Sequence, residues 1–177
     1  MTDTPTDALI RPARPSDVPA VLAIWNPVIR HTLVTFSTEE KTAASLQALI
    51  DERVAGGFCF LVAQWAGQVA GFATYAQFRG GNGYARTLEH TVILAPEASG
   101  NGLGRALMAA VEDHAAAGGG HTIYAGVSAD NPEGIAFHAA VGYRELAVLP
   151  EAGWKFGRWI DLVLMQKKLG EAAGSSG

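Results

Sequence analysis

Two features of this chain are placed to do chemistry: a carboxylate inside an apolar strand, and three glycines at alternate positions ahead of a helix. Glu89 interrupts Thr87–Leu94, where a period of two puts it on one face with Thr91 and Ile93. A carboxylate on that face either meets solvent or sits in a cleft, where it would be placed to take up a proton. Gly100, Gly102 and Gly104 follow a break at Pro96, and Leu103, Leu107, Met108 and Val111 then recur at helical spacing. The order is strand, tight glycine loop, helix N-terminus. Such a terminus carries unpaired N–H groups and partial positive charge, which suits a phosphate, and glycine lets the backbone approach it closely. Arg105 adds a cation. The alternative is that the glycines only turn a corner.

Other phosphate loops do not fit. A Walker loop needs a Gly-Lys pair followed by Ser or Thr, and the chain has none. A dinucleotide loop needs a small residue where counting from Gly100 gives Arg105 and counting from Gly102 gives Leu107. The stretch Ser99-Gly100-Asn101-Gly102-Leu103-Gly104 instead resembles the Q/R-x-x-G-x-G/A pyrophosphate loop of the GNAT N-acetyltransferases, with Ser99 in place of Gln or Arg.

The resemblance extends over nearly the whole chain and sharpens to the phosphinothricin and methionine sulfoximine N-acetyltransferase branch. Four segments carry it: Ile10–Ala13 with Trp25-Asn26 and Thr35-Phe36; Thr87–Val92; Asn131 with His138 and Gly142-Tyr143; and Trp154–Leu162. It implies an α/β fold, a central mixed sheet flanked by helices, with acetyl-CoA as co-substrate, no metal, a small amine as acceptor and a homodimeric state. It also implies that Val92, Leu94, Gly100, Asn101, Gly102, Leu103, Gly104, Arg105 and Asn131 hold the CoA. Glu89 would then be the general base, and His138 would stand beside the cofactor sulfur as a proton or hydrogen-bond donor.

Bland readings stand beside these roles: His138 as a core or capping histidine, and Asn131 as a helix cap, which it can be while also touching a cofactor. His90 should point to the face opposite Glu89 and is read as structural. His114 and His121, seven apart across a triple glycine, lack metal-ligand spacing. For a substrate carboxylate, Arg79 and Arg86 offer guanidinium forks, with Tyr84, Lys155 and Phe156 as further pocket residues. The branch pattern resembles F-R-x-R-x-A-Y-R; this chain keeps Phe78, Arg79 and Tyr84 but has Gly81 and Ala85 where two arginines would stand. Two function classes follow, an acetyl-CoA-dependent N-acetyltransferase or a non-catalytic acyl-CoA-binding domain, and retention of Glu89 and His138 favours the enzyme.

The elements that must position these residues are legible from periodicity and breakers. Strands are expected at Leu9–Ala13, Phe58–Gln64, Val69–Gln77, Thr87–Leu94, Thr122–Val127, Tyr143–Leu149 and Arg158–Lys168, with a hairpin at Trp65–Gln68 and a turn through Gly153 and Gly157. Helices are expected from a Ser16-Asp17 cap through Val28, from Glu39 to Ala55, through the central stretch, and from Asn131 to Ala140. Residues 8–169 then make a single domain and 170–177 a disordered tail. The 177 residues are 49% hydrophobic and 17% charged, a globular composition. A net charge of −4 with no basic run argues against nucleic acid. The single Cys59, in an apolar run, argues for a buried thiol and a cytoplasmic setting, and neither a signal peptide nor a membrane span is read.

Overall fold

Two continuously buried runs, Phe60–Ala63 and Ala70–Tyr75, build the centre of the molecule. The computed structural model describes residues 8–170; residues 171–177, the rest of the expected tail, lie outside them. A seven-stranded sheet runs in the order β1-β2-β3-β4-β5-β7-β6. Its strands are β1 (Ala8–Pro12), β2 (Phe60–Trp65), β3 (Gln68–Gln77), β4 (Thr87–Leu94), β5 (Thr122–Ser128), β6 (Arg144–Lys155) and β7 (Arg158–Lys168). All neighbours pair antiparallel except β4 and β5, which are joined by a helical crossover and therefore run parallel. The mixed sheet expected from the sequence is present.

Among the described residues, four α-helices cover it: α1 (Val18–His31), α2 (Ala43–Ala55), α3 (Leu103–Ala117) and α4 (Pro132–Ala140). Trp25 of α1 meets Phe72 at a ring separation of 4.7 Å, whereas His114 of α3 bonds the hydroxyl of Tyr75. Phe72 and Tyr75 have opposite parity on β3, so α1 and α3 lie on opposite faces. Leu103, Leu107, Met108 and Val111 of α3 are fully buried, as the spacing predicts. Each such burial contributes roughly 1.5–3 kcal/mol.

Local chemistry moves several boundaries. The second helix starts at Ala43, four residues later than expected, because Thr42 caps it by accepting from the Ser45 N–H while Ser45 Oγ accepts from the Thr42 N–H. Residues 32–42 thus form an extended connection, pinned where Asn26 bonds both the N–H and the C=O of Lys41 at 2.9 Å. Asp17 stands at the start of α1 but makes no cap bond to that helix. It instead receives two bonds from Arg11 and one from the Arg14 N–H, and the Arg11 hydrogen bonds hold its carboxyl below the ordinary range. Gly153 is not in a turn: β6 passes through it with an irregularity between Leu149 and Gly153, and the reversal falls at Phe156-Gly157, both with positive φ. The Trp65–Gln68 hairpin is as expected, with Ala66 at φ 50° and Gly67 at φ 80°. Among the described residues no helix is long and apolar enough to cross a membrane.

Candidate active site

The site arises where the parallel pair of the sheet comes apart. β4 and β5 pair from Thr87 to Glu89 and then diverge. Odd-numbered residues of β4 direct their backbone groups to β3, as the bonds from Phe78 N–H to Thr87 O and from Ala95 N–H to Ala70 O fix the register. The N–H and C=O of Val92 and Leu94 consequently face the opening without a strand partner. A cavity of about 330 Å³ fills this gap, walled by Glu89–Ile93, Ala125–Ser128, Trp25 and Thr35 on the α1 side, and Asn131 and His138 on the α4 side.

Glu89 sits at the apex of the opening. Its Oε1 lies 3.1 Å from where a side chain on Gly126 would begin, so a glycine inside β5 makes the room that the carboxylate occupies. Burial raises the Glu89 pKa above the ordinary carboxylate range. His138 lies on the opposite side of the sheet. Its Nδ1 is 2.7 Å from the Gly134 carbonyl, which can only accept, so Nδ1 carries a proton. The buried Nε2 is left without a partner and is unprotonated in the neutral ring. Burial lowers the His138 pKa, against which the bond to Gly134 acts. His90 does point away from Glu89, and its ring stacks on His138 at 5.1 Å. Complete burial pushes its pKa down to about 3, which keeps it neutral.

A second cavity of about 520 Å³ continues from the gap to the start of α3, lined by Val92, Leu94, Gly100, Gly102, Gly104, Arg105 and Asn131. Gly100 and Gly102 have φ of 81° and 76°, a left-handed backbone that suits glycine, and the space above Gly100 is open. Gly104 serves packing instead, since a Cβ there would press on Phe137 at 3.1 Å, so this glycine lets α3 approach α4. The residues therefore fit a phosphate-bearing ligand, with three first-turn N–H groups from Leu103 to Arg105 unclaimed by the helix. Asn131 caps α4 through the Gly134 N–H while lining both cavities. The Leu103 side chain is buried in the core, so only its backbone is offered to a ligand, and Asn101 is not in the cavity wall.

The expected substrate residues are not gathered here. Arg79, Tyr84 and Arg86 are exposed on the loop before β4, with Arg79 over the Tyr84 ring at 6.0 Å, and none lines these cavities. Lys155 is buried and donates to the Thr35 carbonyl at 2.8 Å, which fastens the α1–α2 connection to β6; Phe156 is exposed. Burial lowers the Lys155 pKa. Cys59 is buried, and its thiol is pushed up to about 12 by desolvation, which leaves it unreactive. Sequence reasoning missed Gly126, whose signal was a glycine inside a strand, and missed Trp25 and Thr35 as cavity walls.

A parted parallel strand pair, with a glycine loop and helix start at its mouth, forms a groove that fits an extended, phosphate-bearing ligand. The Acetyltransferase (GNAT) family profile matches residues 25–143. The L-methionine sulfoximine/L-methionine sulfone acetyltransferase of Pseudomonas aeruginosa is 36% identical over 163 residues, covering 92% of this chain and 95% of that protein. The crystal structure of a ribosomal-protein-alanine N-acetyltransferase from Brucella melitensis superposes with a TM-score of 0.88 at 38% identity, over 91% of this chain and 99% of that one. That of a phosphinothricin acetyltransferase from Sinorhizobium meliloti in complex with acetyl-CoA gives a TM-score of 0.88 at 27% identity, over 97% and 93%. The chain belongs to the GNAT acetyltransferase family and is an acetyl-CoA-dependent N-acetyltransferase related to the phosphinothricin and methionine sulfoximine acetyltransferases.

Proposed function

We propose that the chain acetylates the amine of a small amino-acid analogue of the methionine sulfoximine or phosphinothricin kind, with Glu89 as general base. The observation that carries this reading is the Glu89 carboxylate at the apex of the strand opening, seated over Gly126 with its pKa raised by burial. A base with a raised pKa takes a proton from an ammonium more readily than an ordinary carboxylate does. The names of the similar acetyltransferases support the substrate class.

Bound acetyl-CoA supplies an activated acetyl group. First-turn N–H groups of α3 and the loop glycines Gly100 and Gly102 hold its pyrophosphate, and Arg105 adds charge. The unpaired edge groups of Val92 and Leu94 would hold the amides of its arm. Glu89 accepts the amine proton, so the free amine attacks. His138 donates to the departing sulfur from Nε2, which requires the doubly protonated ring. A thiol is a good leaving group, with a model value of about 8.5 for cysteine, so the help needed is modest.

Residues 8–169 act as one catalytic domain in a cytoplasmic homodimer. The second copy covers the outer surface of the β6–β7 hairpin, where Trp154, Phe156 and Trp159 are 53%, 59% and 54% exposed. A thiol-release assay with acetyl-CoA against amino acids, their analogues and an alanine-terminated peptide tests the activity. Glu89→Gln should keep acetyl-CoA affinity and lower turnover by ~10²–10⁴. The wild-type rate should climb with pH through the raised Glu89 pKa, as the carboxylate ionises, and the variant should lose that limb. Unchanged turnover in Glu89→Gln would remove the assignment.

A further inference from the structure

A third cavity, about 360 Å³ in volume, reaches Glu89 from the α2 side of the sheet, walled by Thr74–Gln77, Glu89–Thr91, Gly126 and Arg53. Arg53 is the one arginine or lysine in that wall. It stands in the last turn of α2. Its guanidinium is spent on one side only: Nη1 donates to Glu52 at 3.2 Å, and Glu52 is itself 73% exposed, so that pair holds little. Arg53 Nε is buried without a hydrogen-bond partner. A buried donor left unpaired is costly, and the side-on fork of Nε with Nη2 matches the two oxygens of a carboxylate. Thr74 is already committed to the Cys59 carbonyl, and the Gln77 amide nitrogen to the Arg79 and Gly81 carbonyls. Among the described residues the ionic partner of Arg53 is Glu52, and no salt bridge joins it to Glu89. The base and the cation share a cavity without pairing, which leaves room between them for a molecule carrying both an amine and a carboxylate.

We propose that Arg53 is the specificity residue that binds the carboxylate of an amino-acid substrate while its amine lies against Glu89. This rests on the amino-acid reading above and places the anionic subsite on α2. Gly81 and Ala85 then mark cations that this chain does without, because α2 supplies one from below the sheet.

The test compares L-methionine sulfone with its carboxamide as acceptors, for the wild type, Arg53→Gln and Arg53→Lys. The wild type should prefer the acid in kcat/KM by about 10²-fold, the scale of a hydrogen-bonded charge pair. Arg53→Gln should abolish that preference by raising KM for the acid, with kcat/KM for the amide and the KM for acetyl-CoA unchanged. Arg53→Lys keeps charge without the fork and should lie between; if the Gln protein does not fold, the Lys protein decides by losing part of the acid preference or none. A preference retained in the variants overturns the assignment to Arg53 and leaves the substrate class standing. Equal use of acid and amide by the wild type overturns carboxylate recognition while amine acetylation stands. If neither compound is acetylated by an enzyme that binds acetyl-CoA, the substrate reading falls and this inference with it.

Discussion

Glu89 and His138 line the same gap from opposite sides of the sheet, and burial acts on both. One is an acid whose charged form is disfavoured by burial, the other a base whose charged form is disfavoured by the same cause. Both are therefore easier to hold neutral, so Glu89 accepts a proton only once pH has risen through its raised pKa, and His138 donates from Nε2 only in its doubly protonated form. The Gly134 carbonyl fixes the His138 tautomer, so donation at Nε2 grows as pH falls and fades as pH rises above the lowered pKa. His138→Ala should cost about tenfold in turnover, the value of one hydrogen bond to a developing charge, and less than Glu89→Gln. Steady-state rates of His138→Tyr and His138→Phe separate the roles: a donor function is restored in part by tyrosine alone, and equal rescue by both would make His138 a packing residue against His90 and Tyr143.

At the scale of elements, the loop between β4 and α3 joins backbone conformation to binding. Gly102 ends the loop at φ 76° and opens the helix, so its geometry aims the first-turn N–H groups. Gly102→Val should cost about 1–2 kcal/mol from left-handed strain alone, and more where the β-branch meets the ligand. Calorimetry with acetyl-CoA should show a loss of affinity beyond what the melting shift explains, whereas wild-type affinity in a folded Gly102→Val protein would dismiss the loop as the phosphate site. The connection from Thr32 to Thr42 is a second such element. Asn26 ties it at Lys41, Lys155 at Thr35, and Phe36 packs onto Gly153, where any side chain would collide with the ring. These ties bring Thr35 to the wall of the gap, so the Trp154–Leu162 string shapes the site from outside it.

For the whole molecule, the sheet has two edges that differ in their cover. β6 ends it with an exposed apolar row, Leu146, Val148 and Leu149, beside Trp154, Phe156 and Trp159. An open strand edge carrying apolar side chains is an aggregation hazard in a lone molecule and an interface in a pair. Trp154 and Trp159 meet edge to face at 5.0 Å, a rigid platform suited to a twofold contact. Light scattering should give twice the chain mass for the wild type and the single-chain mass for Trp159→Glu at micromolar concentration. A wild type that is monomeric there would remove the dimer reading.

Local patterns were enough to establish the order of elements, the Trp65–Gln68 hairpin, the glycine loop at the head of α3 and the buried face of that helix, because each depends on neighbours within a turn or two. They also singled out Glu89, since a charge in an apolar strand contradicts its surroundings. The start of α2, the passage of β6 through Gly153 and the diversion of Asp17 to Arg11 depend on partners that period counting does not see. The site itself belongs to tertiary structure. β4 leaves β5 after Glu89, and that divergence frees Val92 and Leu94 and seats Glu89 over Gly126, while α2 brings Arg53, remote in sequence, to a cavity that it shares with Glu89. A chain can announce which residues are out of place among their neighbours, but the distances between such residues are set only when the elements pack.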